Sequence, residues 1–495
     1  MEPRQKDKAG LEGGAGMIAG RYARAAKSLL LLLPLLASTS LHGQAGNFAA
    51  PEAPATQSGY GEDLLPRDEK DRAALLHTIA FDATVYGMSA YLHYEQLYRQ
   101  VFDRGSDNYT GFNRFAHDRN LAGPDYATFK VPNTDTLYST AWIDLSKGPV
   151  EIDIPATQLK YFTLNIFDIF GNPSNLSDRT IGFEGGRFLL VPRDWSGTPP
   201  EGVRIYRAAT PQLWILMRAF AQSDSDVQKA RAFQDAVRII VPQGVGMANE
   251  SGIPAPPPPA PGAIGYLRVL DYVLRADGWQ PGEDALVSRF RPIGILGDKE
   301  FDPDALSPSA RAAIESGYTA ALAMLTRAKS QLGEPTGTGW MKVNKGVYGF
   351  NYVRRSVINI AGLGANVREE NASYTTFVDG KGAVLDGASS RYTLRLQTPP
   401  PVNSFWSVTL YDAKTFALYP NPLNRYLISD RTKGLKVQKD GSIDIRIQHK
   451  APVGGNWLPA PAGPFFVVIR AYGPKPEMLN GQWLPPAITQ EQGGR

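Results

Sequence analysis

Tyr161-Phe-Thr-Leu-Asn-Ile-Phe-Asp168 aligns without gaps to Phe405-Trp-Ser-Val-Thr-Leu-Tyr-Asp412. In both, one alternating set is apolar (Phe162, Leu164, Ile166; Trp406, Val408, Leu410) and the run closes on an aspartate. Period-two alternation marks a strand with one face on a core. Upstream, Tyr138-Ser-Thr-Ala-Trp-Ile-Asp144 echoes Tyr374-Thr-Thr-Phe-Val-Asp379 apart from one residue. Each is followed by a glycine-bearing turn and an alternating strand, Val150 to Ile154 and Tyr392 to Leu396. This repeated order predicts an α+β chain of two β-sandwich, jelly-roll-like modules, an internal duplication, with helical segments before and between them. An aspartate ending an apolar strand face is costly to bury unpaired, so Asp168 and Asp412 are each expected to have a partner at the sandwich rim.

The remaining segments fill in around those strands. Arg21, Arg24 and Lys27 precede an apolar run from Leu29 to Leu36, and Gly43-Gln44-Ala45 supplies small residues for cleavage after Ala45. Residues 1–45 therefore read as a signal peptide, with Met17 as an alternative start, and the mature chain as periplasmic or secreted. The apolar run is shorter than the ~20 residues a span needs, so no stable membrane span is expected after cleavage. A retained anchor is the alternative. Residues 46–69 read as a mobile leader and 70–253 as an N-terminal helix plus β-sandwich. Within that module, Leu213–Met217 and Val227–Ile240 read as helical. Residues 254–262, PAPPPPAPG, form a polyproline spacer. A helical connecting segment covers 263–371, and a C-terminal sandwich covers 372–495. Tyr91, Tyr94 and Tyr98 make a second stripe on the first helix, read as core aromatics with buried partners.

Charge and cysteine content remove whole classes of function. Lys and Arg number 52 and Asp and Glu 48 over 495 residues. Residues 1–45 hold six of the former and three of the latter, leaving 46 against 45. A near-neutral body has no electrostatic footprint for nucleic acid. The absence of cysteine excludes disulfides, thiolate metal sites and a cysteine nucleophile. No Gly-x-Ser-x-Gly elbow, P-loop or dinucleotide fingerprint is present. The histidines form neither HExxH nor His-x-His, so no zinc site is expected.

The densest polar stretch is Phe112 to Asp144. His117 stands three residues after Arg114 and two before Arg119, cations that would keep it neutral and fit for acid/base work. The alternative is a histidine bonded to a loop carbonyl. Asn133 and Asp135 follow a proline directly ahead of the strand carrying Tyr138. They are either a strand-launching turn or a rim pair binding hydroxyls or calcium. Further on, Asn424, Arg425 and Tyr426 sit in a run dense in hydrogen-bonding groups. Arg425 and Arg431 either clamp a substrate carboxylate or pair with Asp412 and Asp430. Asn456-Trp457 reads as a rigid loop presenting an indole, which stacks on a sugar ring or fills the core, as do Trp406 and Trp483.

FNRFAHDRNLAGPD…VPNTDTLYSTAWIDLSKGP resembles the N-terminal module of the bacterial family called domain of unknown function 1254. PPPVNSFWSVTLYD…NPLNRYLISDR…DGSIDIRIQ…NWLPAPAGPFFVVIRAYGP…GQWLPP resembles its usual partner, domain of unknown function 1214. The likeness runs from about Val85 to Pro486. It implies an exported protein of tandem β-rich modules with helical insertions, and no settled activity. His117, Arg119, Asn133, Asp135, Tyr138, Asp168, Asn424, Arg425, Tyr426, Asn456 and Trp457 fall on the family's characteristic motifs. The chain departs from the family at Lys160-Tyr161-Phe162, where the pattern tends to Arg-Tyr-Tyr, and at Asn172 to Asn175.

Two functions fit these residues. One is an exported enzyme acting on a polar organic or carbohydrate-like substrate in a cleft between the modules. There His117 is acid/base, Asp135 and Asn133 orient substrate or hold calcium, and Arg425 binds an anionic or carbonyl group. The other is a non-catalytic ligand-binding or envelope-assembly scaffold, oligomeric in one version, in which the polar motifs brace loops.

Overall fold

Asp68 caps the chain's longest helix, Glu69–Leu97, its carboxylate accepting from the Asp71 amide at 3.0 Å. The computed structural model to which this helix belongs describes residues 65–126, 131–242, 256–296, 300–346 and 348–491. Residues 1–64, which hold the expected signal peptide and most of the expected leader, lie outside the described residues, as do 243–255, which include the first two residues of the polyproline run. All described residues fall within one compact unit, Ala55–Arg495.

The long helix is buried on most sides, from Leu76 through Tyr86 to Leu97. Helices Gly262–Asp277, Pro308–Lys329 and Tyr352–Ala361 pack around it. Close approach is made possible by glycines. A Cβ on Gly87 would stand 2.5 Å from the Tyr266 hydroxyl, and one on Gly317 2.2 Å from the His77 carbonyl oxygen. Ser307 caps the Pro308–Lys329 helix, its side chain accepting from the Ala310 amide. The tyrosine stripe finds its partners in the proline run: Tyr94 donates to Pro257 O at 2.8 Å and Tyr91 to Ala260 O at 3.4 Å. The described part of that run is therefore docked on the helix.

Nine strands make the first β-rich region: β1 Ala116–His117, β2 Thr136–Asp144, β3 Val150–Ile154, β4 Phe162–Asp168, β5 Pro173–Ser177, β6 Gly186–Val191, β7 Val203–Arg207, β8 Gln212–Phe220 and β9 Arg238–Ile240. They form two sheets, β1-β2-β8-β4-β5 and β7-β6-β3-β9. Apolar residues of both sheets meet in one core, including Ile143, Ile152, Leu164, Leu190 and Ile215. Ten more strands follow: β10 Glu334–Pro335, β11 Met341–Lys342, β12 Asn371–Thr376, β13 Tyr392–Leu396, β14 Val402–Asp412, β15 Leu427–Ser429, β16 Ile443–Gln448, β17 Asn456–Pro459, β18 Phe465–Pro474 and β19 Ile488–Gln490. Their sheets are β10-β11-β12-β18-β14-β15 and β17-β16-β13-β19, again closing on one core. From β11 onward the second pair of sheets repeats the strand order of the first. The match extends to the parallel pairs β6/β7 and β16/β17. The aligned segments of the sequence occupy equivalent places, β4 with β14, β2 with β12 and β3 with β13.

Two readings from the sequence are corrected here. Leu213–Met217 is the centre of strand β8, not a helix. That strand is buried along its whole length because one face meets the sandwich core and the other meets the helices, so alternation is lost. The helix over Val227–Ile240 is Asp224–Ala236, with Ser223 and Asp226 closing a capping box, and Arg238–Ile240 turns into β9.

The outer face of the first five-stranded sheet carries Tyr138, Trp142, Phe167, Trp214 and Leu216 into the helical core. At its edge Tyr161 and Phe220 pack on Phe405 and Tyr472 of the C-terminal sheet, with centroids 4.7 to 5.9 Å apart. Rings, not an open cleft, fill this part of the junction between the two β-rich regions.

Candidate functional site

The helix Glu69–Leu97 runs into a π turn, Tyr98–Phe102, a wider turn that is frequent at functional sites. This turn swings Arg99 and Gln100 over the outer face of β2 and β8. Between them lies a cavity of about 100 Å³. Tyr138, Thr140, Trp214 and Leu216 form its floor, Gln96, Arg99 and Gln100 its roof, and Ala116, Asp118, Tyr126, Asn108, Ser139 and Leu363 its walls.

Hydrogen bonds fix the floor to the roof. Trp214 Nε1 donates to Thr140 Oγ1 at 2.6 Å, which donates to Gln100 Oε1 at 3.1 Å. Gln100 Nε2 donates to Thr140 O at 3.2 Å and Thr110 Oγ1 at 3.1 Å. Asp118 accepts from the Tyr126 hydroxyl at 2.8 Å, and burial pushes its carboxyl up against the lowering effect of that bond. Arg99 stands exposed at the rim. Aromatic faces beside amide, hydroxyl and carboxyl groups suit a small hydroxyl-bearing molecule.

Tyr138 is the one residue singled out from sequence that lines this cavity. Its hydroxyl accepts from the Asn133 amide at 3.1 Å, and the Arg218 guanidinium sits 5.4 Å from its ring centre. Asn133 Oδ1 accepts from the Asp135 amide at 3.0 Å, which is the strand-launching turn, and its Nδ2 donates to the Tyr472 hydroxyl. Asp135 is fully buried and accepts from Ser407 Oγ at 2.7 Å. Burial pushes its carboxyl up to about 6, opposed by the Ser407 bond and Arg470. Arg470 donates to the Tyr411 hydroxyl at 2.7 Å and Val131 O at 3.1 Å. Lys345, at the same junction, donates to Asn371 Oδ1 at 2.7 Å and Ser373 Oγ at 3.0 Å. Desolvation pushes its ammonium down to about 7, with Arg470 and Arg218 adding to the effect.

His117 faces away from both groups. Strand alternation puts Ala116 and Asp118 on the cavity side and His117 on the side of the helix Asp224–Ala236. There its Nδ1 lies 2.8 Å from Ser139 Oγ, which also accepts from Gln234 Nε2 at 2.9 Å. Burial lowers its pKa most, Arg119 lowers it further, and Asp235 opposes them. Arg119 is ion-paired with Asp235 and bonded to Gln234 Oε1 at 3.3 Å.

The other residues are held in local sets. Asp168 accepts from Asn172 N at 2.9 Å, Asn172 Nδ2 at 2.8 Å and Gln280 Nε2 at 3.2 Å. Asp412 accepts from the Lys414 and Thr415 amides, and Arg431 pairs with Asp430 at 3.1 Å. Arg425 donates to Trp457 O at 3.2 Å, and the Tyr426 hydroxyl to Asn424 Oδ1 at 3.1 Å. Asn456 braces Lys436 and Asp444 backbone groups, and Trp457 Nε1 donates to Gln448 O at 2.9 Å. Trp406 and Trp483 are core. The eleven singled-out residues thus fall into separate sets and do not converge. Among the described residues no cluster of three His, Asp or Glu could hold a metal ion, and of the Asn133 and Asp135 side-chain oxygens only Asp135 Oδ1 lacks a partner. The cavity's Asp118 and Tyr126 lie in the polar stretch around His117, and the alternation of β1 is the signal that would have selected Asp118.

Residues 112–241 match the family described as Protein of unknown function (DUF1254). Residues 370–476 match Protein of unknown function (DUF1214). The chain thus carries both domains, in this order. It is similar to the VPA0106 protein from Vibrio parahaemolyticus, at 22% identity and a TM-score of 0.65, over 84% of this chain and 100% of that one, a likeness of fold. An uncharacterized protein from Burkholderia cenocepacia aligns over 86% of this chain and 90% of its own, at 13% identity and a TM-score of 0.41. No curated protein matches the chain.

Proposed function

We propose that this is an exported binding protein for a small polar organic molecule with carbohydrate-like hydroxyls, held in the cavity over the outer face of β2 and β8. The observation that carries the reading is the preset chain Trp214–Thr140–Gln100 beneath a cavity walled by Asp118 and Tyr126. Binding is favoured over catalysis by His117 and Asp135 because neither lines the cavity and each is held by a different serine, Ser139 and Ser407. Export rests on the basic, apolar and small-residue succession before Ala45. The repeated strand order supports an origin by duplication of one jelly-roll-like module.

Thermal unfolding of the full chain across polyols, monosaccharides and hydroxy acids tests the reading. A bound ligand raises the melting temperature by mass action, equivalent to ~2.7 kcal/mol at a hundredfold excess over Kd. Ala116→Phe, which fills the cavity from β1, is expected to abolish the rise. No response in the wild type, or an equal response in the variant, overturns it.

A further inference from the structure

We infer that the cavity takes a small α-hydroxy acid, its carboxylate on the Arg99 guanidinium at the rim and its hydroxyl on the Asp118 carboxyl within. The inference deepens the binding reading by naming the ligand class, and rests on it. Of the thirteen residues lining the cavity, Arg99 and Asp118 alone are of charged type. They form no ion pair with each other, and Arg99 is not among the groups that act on Asp118. Each is thus left for something that enters the space both of them line.

Arg99 is the group that selects an anion. Its Nε donates to Glu95 O at 3.3 Å, and among the described residues no carboxylate lies within 4.0 Å of its guanidinium. Glu95, one turn earlier, feels its charge without pairing. The side-chain amides of Gln96 and Asn108, also in the lining, make no hydrogen bond to the rest of the described chain and add further donors. The C-terminal carbonyls of a helix repel an anion. Here the Tyr98 carbonyl is taken by Asp103 N at 2.8 Å, and the Gln100 carbonyl by Thr110 N and Gly111 N at 2.8 and 3.0 Å. The guanidinium remains as the dominant charge at the rim, and its planar fork matches a carboxylate.

Asp118 selects the other end. It accepts from the Tyr126 hydroxyl at 2.8 Å, and among the described residues no cation pairs with it. Burial raises its carboxyl above the usual range. A hydroxyl donates to such a group without bringing charge. An α-ammonium would need the carboxylate ionised and would bury a second charge beside it.

Racemic glycerate, glycerol and racemic serine are the probes, matched in carbon skeleton and differing in the carboxylate and in the group on the middle carbon. Each is titrated into the full chain while the Trp214 indole, bonded to Thr140 in the cavity floor, is followed by NMR. The expected result is glycerate binding about fivefold tighter than glycerol at low salt, as an exposed charge contact gives. The ratio should fall toward one at ~1 M salt, where such a contact is screened. Arg99→Gln, at an exposed position, should bring the ratio to one at low salt. Serine is expected to bind more weakly than glycerate. Equal binding of glycerate and glycerol, or a preference that survives either high salt or Arg99→Gln, overturns the anion end and leaves the cavity reading intact. Serine binding as tightly as glycerate overturns the hydroxyl on Asp118. Silence of all three overturns the hydroxy-acid assignment, while the wider ligand panel decides the cavity separately.

Discussion

Asp135 is where charge burial can be weighed most directly. Its carboxyl is fully buried, keeps one oxygen unpartnered among the described residues and is pushed up to about 6 from the usual 3.8. A carboxyl whose folded pKa exceeds its unfolded value contributes stability that is fully present below about pH 4 and is lost as pH rises through about 6. At 1.36 kcal/mol per unit, two units make the ionised form cost ~3 kcal/mol at pH 8. Asp135→Asn removes that charge while keeping an oxygen for Ser407. It should therefore gain up to ~3 kcal/mol over wild type at pH 8 and almost nothing at pH 4. Ser407→Ala removes the bond that favours the carboxylate and should lose ~1.5–3 kcal/mol at pH 8. Urea unfolding of the full chain at both pH values, followed by tryptophan fluorescence, reads the differences. A loss in Asp135→Asn at pH 8, or an equal gain at both pH values, refutes the reasoning.

Other perturbations have clear signs. Glu283→Gln leaves the buried Arg355 without the carboxylate 3.9 Å away that also accepts from Tyr86 at 2.9 Å, so calorimetry should record a loss of ~3–5 kcal/mol. Gly171→Ala forces a methyl against His93 and Ser89 at a positive φ, and chemical denaturation should show a loss of ~1–3 kcal/mol or more. His117→Ala gives up one hydrogen bond at a half-buried site, ~1 kcal/mol by the same measurement, and should leave the response to the ligand panel unchanged.

What the sequence disclosed follows from where each segment lies. β4 and β14 were legible because one face meets a sandwich core, giving regular alternation. β8 was not, since both its faces are apolar and a buried strand of that kind reads like a helix. Asn133 and Asp135 were seen as a launching turn and are one. Their partners Ser407 and Tyr472 stand more than 270 positions away, beyond any local pattern. His117 drew attention through its charged neighbours, yet strand alternation turns it from the cavity and brings in Asp118. His93 gave no signal at all. It sits inside a helix, and only the fold shows its ring fully buried and bonded to the Ser89 carbonyl.

Hydrogen–deuterium exchange with and without a saturating hit from the ligand panel tests the central claim, that the ligand lies over β2 and β8 and not where the two β-rich regions meet. The account predicts slowed exchange around residues 96–100, 116–118 and 138–140. Protection confined to 131–135, 405–411 and 470–472 would contradict it.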